Sequence, residues 1–213
     1  MQVHDVGKTI SAFAFLVWLF LWEGTAFASV HEPIGSSYDA KNESLRDELI
    51  PIDTGKSEAQ ATLAIVREEL QRDPTNVELR RKKGYCLYIL HEVDLAISEL
   101  EALLYEHPKD SRTVELLAAA YHWKATLRLR SGDAASASSL IERALALVPG
   151  EPYFLSMKAE VLSKMGRHRG ALRYMREALK QYPDDAEMLH QYEEIKTALQ
   201  ESRPRRDTGT PHK

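Results

Sequence analysis

Four prolines mark out a repeated unit in the middle of this 213-residue chain. They are Pro74, Pro108, Pro149 and Pro183, and each closes an apolar run with helical spacing. The intervals 74 to 108 and 149 to 183 are each 34 residues long, and the interval 108 to 149 is 41. The excess is close to two helical turns, so it keeps nearly the same helix face buried. The spacing therefore predicts three tandem helical hairpins.

Small and apolar residues recur at matching points of these hairpins. In the second helix of each hairpin two such residues lie seven positions apart: Ala96 with Leu103, Ala137 with Ala144, and Ala171 with Ala178. Small side chains at these points allow two helices to approach closely. Gly132 and Gly166 fall between the helices of the second and third hairpins, where a positive φ is favoured.

The pattern resembles the tetratricopeptide repeat, a helix-turn-helix unit of the same length. The match is closest in Lys164–Ala171 and in Ala178–Pro183, and with flanking helices the resemblance covers residues 57–201. The resemblance implies an all-α fold. It would be a right-handed superhelical array of antiparallel helix hairpins, an α-solenoid of about eight helices.

Local signals predict the boundaries of these parts. Thr75-Asn76-Val77-Glu78 has the capping-box pattern at the start of a helix, and the last hairpin helix is expected over His168–Tyr182. A flexible linker is expected over 29–56 and a disordered tail over 202–213. The helical domain is expected to comprise a cap helix over 57–72, repeats over 75–108, 109–149 and 150–183, and a cap helix over 184–201.

The extra residues of the second hairpin are expected to lengthen its first helix. The stretch 111–130 contains no glycine or proline, so nothing in it predicts a loop. An apolar stripe runs along it, and Trp123 and Leu127 fall outside that stripe, which gives a second apolar face. The projecting end either covers a neighbouring helix or docks a partner.

Residues 1–28 have the layout of a secretory signal peptide. A short, weakly positive start precedes the apolar run Thr9–Trp22, and an Ala-x-Ala pattern ends at Ala28. The chain is therefore expected to be exported, to the periplasm in a bacterium and otherwise by secretion. The alternative is an uncleaved membrane anchor, although the run is short for a span.

Composition and motifs argue against several classes of function. There are 28 basic and 32 acidic residues, a balance that gives no footprint for nucleic acid. The single cysteine, Cys86, excludes an intrachain disulfide and is expected to be a buried, inert thiol; an intermolecular disulfide is the alternative. His91-Glu92-Val93-Asp94-Leu95 lacks the second histidine of a zinc-protease helix. We expect no enzyme activity, no cofactor and no metal.

The resemblance also implies where a partner would bind. Tetratricopeptide arrays present a concave face lined by the first helix of each hairpin. Here that predicted concave face would consist of Arg81, Tyr85, Tyr88, His122, Thr126, Tyr153, Ser156 and Glu160. Three tyrosines on one surface suit an extended or helical peptide, because aromatic side chains offer large, rigid contacts. The alternative is that some of these residues pack between repeats.

These features predict an exported scaffold or adaptor that binds a protein or peptide partner. By the habit of the family, such a protein would serve periplasmic assembly or envelope biogenesis. One alternative is a structural subunit that forms a homo-oligomer or an envelope complex. Another is a non-catalytic accessory of a biosynthetic or maturation complex. Contact with a membrane is expected only if the N-terminal segment stays uncleaved.

Overall fold

The computed structural model describes residues 56–202, which form eight α-helices and no strand. The helices are α1 Lys56–Arg72, α2 Val77–Ile89, α3 Val93–Glu106, α4 Ser111–Arg130, α5 Ala134–Leu147, α6 Pro152–Lys164, α7 His168–Leu179 and α8 Ala186–Glu201. The predicted all-α fold class is confirmed. The predicted signal peptide, and all but one residue each of the predicted linker and tail, lie outside the described range. Within 56–202, no helix is both long and apolar enough to cross a bilayer.

Each helix packs mainly on the helices that precede and follow it in the chain. Because the connections are only a few residues long, successive helices run antiparallel and form the hairpins α2–α3, α4–α5 and α6–α7. Weaker contacts join α2 to α4, α4 to α6 and α6 to α8. The first helices of successive hairpins, continued by α8, are therefore neighbours.

The interior is a seam of small and apolar side chains at the helix interfaces. All six recurring second-helix residues predicted to lie there are fully buried: Ala96, Leu103, Ala137, Ala144, Ala171 and Ala178. Burying such side chains is the main favourable term in folding, at about 25 cal/mol per Å² of apolar surface removed from water. Cys86 also lies in this seam, and burial raises its thiol pKa to about 11. The predicted buried thiol is confirmed.

The three hairpins end their first helices with the same turn. Backbone N–H groups of Glu92, Asp133 and Arg167 donate to the carbonyls five residues earlier, at 2.9, 2.9 and 2.8 Å. The preceding residue has positive φ in each case, 84° at Gly132 and 73° at Gly166, as predicted. In the first hairpin that position is His91, with φ 62°, the only non-glycine residue with positive φ in the described part of the chain.

Two predicted helix ends differ from the structure. The cap of α2 is Asn76 rather than Thr75: its Oδ1 accepts from the Leu79 amide at 3.1 Å. Glu78 consequently does not close a capping box and pairs with Arg81 instead. The helix predicted to reach Tyr182 ends at Leu179, because the residue before a proline is disfavoured in the α conformation and the last turn loosens ahead of Pro183.

The long helix α4 places the first and third hairpins at different heights. It has 20 residues where α2 has 13, so the extra residues lengthen the helix as predicted. The α2–α3 turn lies beside the middle of α4, where the rings of His91 and Trp123 are 5.5 Å apart. The start of α6 also lies there, with Phe154 and His122 rings 5.4 Å apart.

The last turns of α4 therefore extend past the first hairpin. Trp123 is 7% exposed, whereas Leu127, one turn further along the same side, is 42% exposed. We call the side of α4 that carries Trp123, beside the α2–α3 turn, and Leu127, beyond it, the α4 step. The first half of α4, by contrast, packs against the first hairpin.

Candidate partner-binding surface

Arg81, the first residue of the predicted concave face, joins two hairpins. Its side chain is buried, and its Nη2 donates to Asp110 Oδ2 at 2.9 Å. Its Nε lies 3.4 Å from Thr113 Oγ1, and Glu78 accepts from its Nη1. The guanidinium thus connects α2 to the start of α4, and its donors are used within the fold.

The same contacts set the charge of Asp110. Partial burial raises the pKa of this carboxyl group, but hydrogen bonds from Thr113 and Arg81 outweigh burial, and the pKa is lowered overall. Asp110 is therefore ionised at neutral pH. We call Arg81, Asp110 and Thr113 the α2–α4 clamp.

Tyr85 and Tyr88 belong to the hydrophobic core of the first two hairpins. They are 9% and 7% exposed, and both pack in the cluster that also contains Leu117 and Trp123. Together with Arg81 they leave little side-chain area for a partner. Their assignment to a binding face stays a prediction.

The other five predicted residues meet where α4, α6 and α8 run side by side. His122 and Thr126 lie on α4, and Tyr153, Ser156 and Glu160 lie on α6. Ser156 is buried and the other four are half-buried. We call this region the α4–α6–α8 surface.

Its α4 edge is built around His122. Thr126 Oγ1 donates to the His122 carbonyl at 3.1 Å, and the imidazole packs on Phe154. His122 Nδ1 is buried and has no hydrogen-bond partner among residues 56–202. Burial lowers the pKa of His122 from 6.5 to about 4, so the ring is neutral at physiological pH.

This low pKa predicts a pH-dependent stability. Between pH 4 and 6.5 the unfolded chain binds a proton at His122 that the folded chain excludes, so the free energy of unfolding should rise with pH. His122→Gln should remove about 2 kcal/mol of that rise. Urea titrations of both proteins at pH 4.5, 5.5 and 7 measure it. Parallel stability curves for the two proteins would contradict the assignment.

The α6–α8 edge is polar. Ser156 Oγ donates to Gln191 Oε1 at 2.9 Å, which fixes α6 against α8. Burial raises the pKa of Glu160, and the charges of Lys164, Glu187 and Arg130 act on it as well. Glu160 makes no ion pair with another described residue, so its carboxylate keeps its acceptor capacity.

Sequence reasoning missed the contribution of α8. This helix is expected as a terminal cap, and its buried Met188 and Ile195 do cover the last hairpin. Its adjacent face brings Glu187, Gln191 and Glu194 towards α6. Their spacing of four and three residues is the helical signal that identifies one shared face.

The described residues offer no metal centre. Within 56–202, no group of three or more His, Cys, Asp or Glu side chains is placed to hold a metal ion. Two histidines of the described residues pack on other rings instead: His91 on Trp123, and His122 on Phe154.

Comparison with known proteins adds two findings. The tetratricopeptide repeat family model matches residues 128–191, which span α5, α6, α7 and the adjoining parts of α4 and α8. A comparison with curated protein sequences found no match.

Several solved structures are similar. A MamA structure from Desulfovibrio magneticus RS-1 has a TM-score of 0.50 and 10% identity, covering 78% of this chain and 93% of that one. The first tetratricopeptide repeat domain of Spaghetti, bound to an HSP90 peptide, has a TM-score of 0.44 and 19% identity, covering 58% and 93%. A tetratricopeptide repeat protein of Thermus thermophilus has a TM-score of 0.40 and 18% identity, covering 75% and 97%.

At these identities the MamA likeness concerns the fold alone. The family match covers the third hairpin, α6–α7. Residues 128–191 thus match the tetratricopeptide repeat family, and they lie within an all-α array of helical hairpins.

Proposed function

We propose that this protein is an exported, non-catalytic adaptor that binds an extended segment of a partner protein along the α4–α6–α8 surface. In a bacterium it would act in the periplasm, in assembly or envelope biogenesis. Stacked helical hairpins of the tetratricopeptide type present extended surfaces that suit protein partners. The proposal depends on the sequence features of residues 1–28 for export and on the chemistry of the surface for binding.

The observation that carries the binding proposal is the unused hydrogen-bonding capacity of the surface. Glu160 is half-buried, its pKa is raised by burial, and it makes no ion pair with a described residue. A partner's N–H group or lysine ammonium would bring back the hydrogen bonds that such a group loses on leaving water. Tyr153 on α6 and His122 on α4 supply ring surface to the same region.

Site-specific crosslinking tests the proposal. A photo-crosslinking amino acid at Thr126 should capture one protein in cells, and the same probe at Ser98, an exposed residue of α3, should not. The captured protein, once purified, should bind the parent chain at least tenfold more tightly than it binds the Glu160→Lys variant. The lysine would repel the partner's N–H group or ammonium that donates a hydrogen bond to Glu160.

The variant must keep its helices for the comparison to count. Circular dichroism of the Glu160→Lys variant measures its helix content. Because the Glu160 side chain is only half-buried, we expect the variant to fold. Equal affinity of the folded variant and the parent, or equal capture from Ser98 and Thr126, would reject the α4–α6–α8 surface as the binding face.

A further inference from the structure

The α4 step contains a buried polar group without a partner. The Trp123 indole is 7% exposed, and its Nε1 is buried with no hydrogen-bond acceptor among residues 56–202. A buried indole N–H usually finds a hydrogen-bond acceptor, so the lack of an acceptor for Trp123 Nε1 needs a physical explanation. The structure therefore points to an acceptor supplied from outside the described residues.

The step also exposes an apolar side chain next to that group. Leu127 follows Trp123 by one turn and is 42% exposed, because the first hairpin stops at His91. In the middle of α4, by contrast, most residues are buried on every side of the helix. The combination of an apolar residue and an unused donor suits a short apolar segment with free carbonyl groups.

The corner beneath the step is held by a strained residue. His91 occupies a position that is glycine in the other two hairpins, with φ 62°. A side chain in this conformation is disfavoured relative to glycine. A glycine at this position would have no imidazole to pack on Trp123. The contact between the His91 and Trp123 rings therefore holds this corner together.

The chain enters the described fold at this same corner. Burial lowers the pKa of His91, and the charge of Lys56, the first residue of α1, lowers it further, so Lys56 lies near the imidazole. Directly before α1 the sequence is Leu49-Ile50-Pro51-Ile52, followed by Asp53-Thr54-Gly55. From Lys56 back to Ile52 the chain can span about 13 Å, more than the ~6 Å between successive turns on one side of α4.

The sequence of this segment fits the step. Leu49, Ile50 and Ile52 are apolar, and Pro51 disfavours a helix in the residue before it. Carbonyl groups outside a helix have no ladder partner and can accept from a side chain. We propose that Leu49–Ile52 of the same chain packs on the α4 step, covers Leu127 and gives a backbone carbonyl to Trp123 Nε1.

A single-tryptophan form of the full chain tests this inference. With Trp18→Phe and Trp22→Phe, emission comes from Trp123 alone. Adding Leu49→Asp and Ile52→Asp should shift that emission to longer wavelength and move the indole N–H resonance of Trp123. Trypsin cleavage after Arg46 should become about tenfold faster, since the segment is no longer held.

Two matched changes complete the test. Ile34→Asp, in the same N-terminal region but far from α1 in sequence, should alter neither emission nor cleavage. Leu127→Asp, at an exposed position that does not threaten the fold, should accelerate cleavage after Arg46 as the segment variant does. Unchanged emission and cleavage in the Leu49→Asp/Ile52→Asp protein would overturn the proposal. Emission that changes on dilution would overturn its intrachain form, because a second copy would then supply the segment.

Discussion

Replacing Arg81 with methionine should lower the free energy of unfolding by about 3 kcal/mol. The substitution keeps much of the side-chain volume but removes the charge that neutralises Asp110 across the α2–α4 interface, at 2.9 Å. Both side chains are shielded from water, at 7% and 16% exposure, and breaking a buried pair by removing one partner costs about 3–5 kcal/mol. Urea unfolding followed by circular dichroism measures the loss.

An exposed pair in the same molecule is the control for this result. Arg72 donates to Glu68 at 2.8 Å, but the two side chains are 77% and 68% exposed. Arg72→Met should therefore change stability by less than about 0.5 kcal/mol. If both arginine variants lost the same small amount of unfolding free energy, the α2–α4 clamp would be a surface contact in solution. It would then not be what holds the first two hairpins together.

The repeat itself could be read from the sequence because its signal is local. Proline spacing, recurring small residues and amphipathic periodicity are properties of short stretches, and they predicted both ends of α4. The position along α4 at which the neighbouring hairpins pack is not encoded in any short stretch of sequence. Both halves of this 20-residue helix carry apolar residues, so either half could pack on a neighbouring hairpin. Only the packed structure shows that His91 and Phe154 contact the middle of α4, at Trp123 and His122.

The candidate surface was harder to predict for a related reason. Counting positions along the first helices identifies a face, but not how deeply a neighbouring helix buries each residue. Tyr85 and Tyr88 are covered by the core, whereas Thr126 and Glu160 remain partly open. The turn at His91 lacks the glycine that marks the corresponding turns of the other two hairpins, so the sequence did not predict its positive φ.

The close approach of α2 and α3 in the first hairpin predicts the second large effect on stability. Leu100 is fully buried on α3, opposite Gly84 on α2, and Leu100→Ala should cost about 3 kcal/mol through lost burial and the cavity left behind. A Cβ added to Gly84 would lie 2.7 Å from Leu100 Cδ2 and 2.8 Å from its Cγ. Since Leu100 is enclosed by the core, Gly84→Ala should also destabilise the parent, by about 1 kcal/mol net.

The same substitution should change sign when Leu100 is already alanine. Without the Leu100 Cγ and Cδ atoms, the new methyl group enters vacated space, and alanine is favoured over glycine within a helix by about 1 kcal/mol. Gly170→Ala is the matched control, because its added Cβ would lie 3.6 Å from Leu162 Cδ1, an ordinary contact, and it should not destabilise. Thermal unfolding of the four combinations at positions 84 and 100 measures the coupling. Additive effects would show that α2 and α3 do not approach as closely as the seam of small residues requires.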